Sequence, residues 1–139
     1  VGCLNLGLDL EALNARMNGL LGTPFEDNGR GATLDCTGLA LELWRAGGVE
    51  LPDPVDADRA ADALIPGCVR ELPGPELGCL VIVEHPTGPV DHVGVLLAPG
   101  IVGHATRGAG VVRTTLRTLI GRCDGRRRTV RYYGPSHGT

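Results

Sequence analysis

The feature that most constrains this chain is a change of period at Gly78. Before it, apolar residues recur at three- and four-residue steps, as on one face of a helix; after it they gather in short, partly β-branched runs separated by Gly and Pro. Asp9 to Leu21 carries Leu10, Leu13, Met17, Leu20 and Leu21 on one face, with Asp9 as N-cap and Gly22 as stop. Thr23 to Thr33 is a Gly- and Pro-rich loop. A second helix is expected from about Asp35 to Ala46, ending at Gly47-Gly48, and then an extended exit to Pro54. Asp56 is placed to cap a third helix through Ala60, Ala61 and Leu64, closed by Pro66-Gly67. The runs Cys79 to Val83, Val93 to Leu97, Ile101 to Ala105, Val111 to Leu116 and Thr129 to Tyr133 read as strands. Helices first and strands afterwards predict an α+β domain, with N-terminal helices packed on a central antiparallel sheet of about five strands. No repeat or linker interrupts the pattern, so residues 1–139 are expected to form one domain.

No apolar run approaches the roughly 20 residues of a membrane span. Rings make up only 3% of the chain and the net charge is −3, which argues against stacked-base platforms and against a generally basic nucleic-acid binder. Arg126, Arg127 and Arg128 are read as a solvated turn before the last strand. The start, Val1-Gly2-Cys3, has no basic-then-apolar leader, and a processed or trimmed end is expected.

Five cysteines, Cys3, Cys36, Cys68, Cys79 and Cys123, leave at least one outside any internal disulfide set. No C-x-x-C pair supports a thioredoxin-type or zinc reading. Cys36 is the best candidate for the odd thiol. It stands where a loop turns into an amphipathic helix, and the first turn of a helix offers unpartnered N–H groups and the positive end of the dipole, which favour a thiolate and can hold an oxyanion. A small buried hydrophobe is the competing role for such a residue.

A thiolate nucleophile needs a base, and the base needs an orienting partner. His137 lies in a Gly-Ser-rich tail and His85 precedes a proline, whereas His92 and His104 lie on strands flanking a turn near Ala98-Pro99-Gly100. A three-residue loop Ala98 to Gly100 pairs Leu97 with Ile101 and Gly94 with His104, with His92 two residues along on the same face. A two- or four-residue loop puts the rings on opposite faces. Gly100 favours the three-residue form, which Pro99 fits less well. Gly94 leaves room between the rings. A zinc ion on Cys36, His92 and His104 is the other chemistry open to these residues, without a ligand-pair spacing to support it.

The segments D-C-T-G-L-A-L-E-L-W-R-A-G-G-V-E-L-P, G-C-L-V-I-V, D-H-V-G-V-L-L-A-P-G, I-V-G-H-A and G-V-V-R-T-T-L, in this order from about Leu20 to Leu116, resemble the NlpC-type family of bacterial cell-wall cysteine peptidases. The resemblance implies a papain-like fold, with Cys36 as nucleophile, His92 as general base and His104 as the orienting residue. Asp35 matches a position that helps hold the free amine of a stem peptide, and Thr37 stands for the more usual serine behind the nucleophile. Phe25 stands where many members carry a tyrosine facing the site, and Cys79 where an aspartate is common. The implied activity is peptidoglycan hydrolysis, typically between D-glutamate and a diamino acid, without a cofactor, at the cell envelope or outside the cell. The G-R loop before the nucleophile and the compact form also resemble members encoded with phage tail components, which would make tail proteins partners and the virion the setting. Arg30 and Arg107, in loops beside these residues, are placed to contact a substrate carboxylate. A structural or interaction domain without turnover, or an amidase or acyltransferase with the same triad, are the alternatives.

Overall fold

The computed structural model describes residues 6–53, 69–85, 90–125 and 128–136. Helix α1 (Leu10–Leu20) starts at Asp9, whose carboxylate accepts the Ala12 N–H at 3.1 Å, and stops before Gly22 at φ 85. Helix α2 (Cys36–Ala46) starts at Asp35 and runs into Gly47 and then Gly48, the latter at φ 99. The Asp9 cap and both stops fall where the sequence puts them, and the second helix, expected from about Asp35, has Asp35 as its cap. The helix expected from Asp56 to Leu64 lies outside the described residues.

The strands are β1 (Val69–Leu72), β2 (Leu80–Glu84), β3 (Val90–Ala98), β4 (Ile101–Thr106), β5 (Gly110–Thr115) and β6 (Thr129–Pro135). They form one antiparallel sheet in the order β1-β6-β2-β3-β4-β5. The α+β layering is as expected, with two additions. β1 is a short edge strand on β6, burying Leu72 opposite Tyr132. A helix α3 (Leu116–Gly125) begins where a strand residue was expected, because Thr115 caps it: its Oγ1 accepts the Thr118 N–H at 3.0 Å.

The core lies between α1, α2 and the sheet. α2 buries Leu39, Ala40, Leu43 and Trp44 against β3 and β4. Trp44 is fully buried and its Nε1–H is satisfied by the Gly78 carbonyl at 2.8 Å, so the largest side chain of the core carries no unpaired polar atom. Leu13 and Met17 of α1 fill the corner, Met17 lying against Gly103. Among the described residues no helix is long and apolar enough to cross a membrane.

The β3–β4 hairpin corrects one expectation. Its loop has two residues, with Ala98 paired to Ile101 across Pro99-Gly100, and Leu97 forms a bulge. Pro99, with its fixed φ, and Gly100, at φ 74, suit the central positions of a tight turn. The bulge supplies the odd residue that the loop lacks. Below it the pairs are Leu96 with Val102 and Val95 with Gly103, the register expected from the longer loop, which brings Gly94 opposite His104. The carbonyl of the bulged Leu97 accepts from Asn14 Nδ2 at 3.1 Å, so α1 holds the irregularity in place. A second bulge sits at the start of β3: Val83 pairs with His92 but Glu84 with Val90, leaving Asp91 as the extra residue.

Candidate active site

The loop that ends at Cys36 is folded tightly onto the first turn of α2. A methyl group on Gly38 would lie 2.3 Å from the Gly29 carbonyl oxygen, and one on Gly29 would lie 2.7 Å from the Thr33 carbonyl, so both positions require glycine for close approach rather than for backbone angle. Asp35 sits at the centre. Its Oδ1 accepts the Gly38 N–H at 2.6 Å and Arg30 Nη1 at 2.8 Å; its Oδ2 accepts the Asn28 N–H at 2.9 Å. Arg30 Nη1 also donates to the Gly29 carbonyl, and its Nε lies 3.0 Å from Asp53 Oδ1 on the exit from α2. Asn28, in the left-handed region at φ 62, aims its N–H inward.

Cys36 is half-buried and its thiol is free. Burial raises its pKa above the ordinary value and the adjacent Asp35 charge adds to this, while the Val93 N–H, the Thr37 hydroxyl and the Thr37 N–H act to lower it. The helix start was expected to favour the thiolate; in this fold burial acts in the opposite direction and raises the pKa. The Val93 contact places the sulfur against β3 one residue from His92.

His92 and His104 meet on one face of the sheet. Their Nε2 and Nδ1 atoms are 2.8 Å apart, with the rings edge to face at 75°. His104 is 5% exposed, and burial, together with the positive charge of Arg122 on α3, lowers its pKa. A neutral His104 with its proton on Nε2 presents a lone pair at Nδ1, the arrangement in which it accepts from His92 Nε2–H. Gly94 makes this possible. A Cβ there would lie 3.5 Å from that of His104 and 2.6 Å from Val102 Cγ1.

Thr37 is buried behind the thiol. Arg107, in the turn after β4, is 75% exposed; its Nη2 lies 2.6 Å from Asp27 and its guanidinium 5.0 Å over the Phe25 ring. The arginines thus differ. Arg30 is built into the loop beneath Cys36, whereas Arg107 lies across the rim. Asp27, Asn28, Asp53 and Arg122 are site neighbours that sequence reasoning missed. Asn28-Gly29 is a turn signal that would have found one of them; the others carry no local signal. Among the described residues no three His, Cys, Asp or Glu side chains converge to hold a metal ion.

The sequence matches no protein-family model and no curated protein. The fold does have solved counterparts. The NlpC/p60 domain of the peptidoglycan hydrolase SagA superposes with a TM-score of 0.61 at 18% identity, over 89% of this chain and 97% of that one. The peptidoglycan hydrolase RipB from Mycobacterium tuberculosis gives 0.59 at 22% identity over 78% of this chain, which spans 58% of the RipB chain. RipD from Mycobacterium tuberculosis, described as a non-catalytic NlpC/p60 domain protein adapted to peptidoglycan binding, gives 0.61 at 18% identity, over 92% of this chain and 97% of that one. With its helices laid on the antiparallel sheet and its ordered motifs running through both layers, the chain has the fold of the NlpC/p60 domains.

Proposed function

We propose that this domain is a peptidoglycan hydrolase, a cysteine endopeptidase that cuts stem-peptide amide bonds, between D-glutamate and a diamino acid, with Cys36 as nucleophile, His92 as base and His104 as orienting residue. The observation that carries the reading is the 2.8 Å contact from His92 Nε2 to His104 Nδ1, on the strand whose Val93 backbone meets the Cys36 thiol. His92 Nδ1 takes the thiol proton as sulfur bonds to the amide carbonyl carbon. The oxyanion falls to the N–H groups of Cys36 and Thr37, since those of Gly38 and Leu39 donate to Asp35. The imidazolium returns its proton to the leaving amine as the C–N bond breaks. Water, deprotonated by His92, then adds to the thioester, and Cys36 leaves as the thiol.

Asp35 and Thr37 flank Cys36 as buried neighbours, and Arg107 lies exposed at the rim, where a stem-peptide carboxylate can exchange with Asp27 for the guanidinium. Arg30 has one group left uncommitted for a substrate carboxylate on this reading, its Nη2, which is buried and has no hydrogen-bond partner among the described residues. The setting that fits this substrate is the cell envelope or the space outside it.

Muropeptide release from purified peptidoglycan, followed by mass analysis of the products, tests the reading. Wild type is expected to release stem fragments with a new amino terminus on the diamino acid, and Cys36→Ala to release none. The likeness to RipD and the absence of a tyrosine hydroxyl at Phe25 favour a second reading, binding of peptidoglycan without cleavage. Wild type that sediments with peptidoglycan but releases nothing would establish it in place of the first.

A further inference from the structure

Three carboxyl and guanidinium groups are stacked beneath the nucleophile in the order Asp35, Arg30, Asp53. Asp35 is 9% exposed and precedes the thiol directly. Two backbone N–H groups hold its carboxylate in the N-capping position, yet neither carries a formal charge. A bare carboxylate there would oppose ionisation of the neighbouring sulfur, as like charges do. Arg30 meets that carboxylate at 2.8 Å, and its Nε end is held by Asp53 at 3.0 Å. The guanidinium is held at a third point, because Nη1 also donates to the Gly29 carbonyl at 2.9 Å.

We propose that Arg30 is a positioning residue for the Cys36 nucleophile: it clamps Asp35 as the cap of α2 and screens the Asp35 charge from the sulfur, with Asp53 as its outer anchor. The inference rests on Cys36 as the nucleophile of the site. Among the described residues the other charged or titratable groups set round the thiol are His92 on β3, His104 behind it on β4 and, next to His104, Arg122 on α3; Arg107 and Asp27 at the rim compensate each other. Arg30 is the cation in contact with Asp35.

The test reads the thiol itself. In the full chain, the iodoacetamide alkylation rate of the Cys36 peptide is followed by mass spectrometry from neutral pH upward to about pH 11, and compared at neutral pH, for wild type, Arg30→Met and Asp53→Asn. Arg30→Met is expected to move the Cys36 step upward by about one pH unit, a roughly tenfold lower alkylation rate at neutral pH. A role confined to holding the loop together would lower the melting temperature and leave the profile in place, so a folded Arg30→Met with the wild-type profile overturns the proposal. Should Arg30→Met lack a cooperative melt, Asp53→Asn decides. With its outer carboxylate gone, the Arg30 charge falls wholly on Asp35, and alkylation at neutral pH is expected to be about two- to threefold faster. An unchanged or slower rate overturns the proposal. Because alkylation requires no substrate, an inert wild type in the muropeptide assay would leave this result standing, and an unmoved profile would leave the hydrolase reading to its own assay.

Discussion

Replacing Gly94 with alanine puts one methyl group into the narrowest part of the sheet. The new Cβ would lie 2.6 Å from Val102 Cγ1 and 3.0 Å from the Gly103 carbonyl oxygen. Val102 is fully buried, and the Gly103 oxygen belongs to the adjoining strand, so neither neighbour has solvent to move into. Overpacking of this kind costs about 1–3 kcal/mol, against which the reduced freedom of the unfolded chain returns about 0.5–1 kcal/mol. The net expectation is a loss of about 1–2 kcal/mol, or about 3–10 °C in melting temperature for a chain of this size. Gly19→Ala is the internal control: it lies in α1 with nothing within 4 Å of its would-be Cβ. The same methyl there is expected to add about 0.5 kcal/mol through helix propensity. Thermal melts by circular dichroism read both. Muropeptide release should fall further in Gly94→Ala than its stability accounts for, because Val102 and Gly103, which must give way to the methyl, lie on β4 directly before His104. A Gly94→Ala protein that melts at or above wild type would refute the close-approach argument, as would a Gly19→Ala protein destabilised by the same amount.

Two further outcomes follow from the titrating groups. His104→Ala removes the acceptor that fixes His92 and should lower kcat by roughly 100-fold or more with KM little changed, while His104→Gln, which offers an amide oxygen, should retain more activity; equal losses in both variants would count against the orienting role. Folding stability should decline on both sides of neutrality. Cys79, fully buried before β2, is pushed up by burial to about 11 from 9.0, so the unfolded chain loses its proton first as pH rises, and stability complete below 9.0 drains by about 2.5 kcal/mol as the pH passes through about 11. Cys36 acts in the same direction. His104, held below its ordinary 6.5, contributes fully above that pH and loses its contribution as the pH falls. Denaturant melts across the pH range should show both limbs, and Cys79→Ala should flatten the alkaline one.

The elements that sequence reading locates are those whose ends are written locally. Asp9 with Gly22, and Asp35 with Gly47-Gly48, bracket apolar residues at helical spacing, so α1 and α2 are legible from caps and period alone. β1 is not, because in Val69-Arg70-Glu71-Leu72 only Leu72 is buried and the strand exists by virtue of β6 beside it. α3 was hidden by the β-branched run before it, although Thr115 was available as a cap. At the site, Cys36 is marked by its place at a helix start, and His92 and His104 by hairpin parity. The partners of Arg30 and Arg107 were not legible. Asp53 and Asp27 reach them through the paths of irregular loops, and loop paths have no period. The direction of the Cys36 shift was missed for a related reason: a helix dipole can be read from sequence, but the desolvation that opposes it depends on what covers the thiol.

The bulge at Leu97 gives the β3–β4 hairpin a reading frame. Because side chains alternate, any single-residue insertion or deletion between Val95 and Gly103 would turn His104 to the opposite face of the sheet unless the bulge absorbed it. The tip can therefore change length only in steps of two, or by trading a loop residue for the bulge. Asn14, which holds the Leu97 carbonyl from another element, makes that trade costly. Length variation in this hairpin is thus coupled to a residue on α1 more than 80 positions earlier in the chain, and a chain that lengthened its turn by one residue while keeping both histidines together would be expected to have lost the bulge and to have no need of asparagine at position 14.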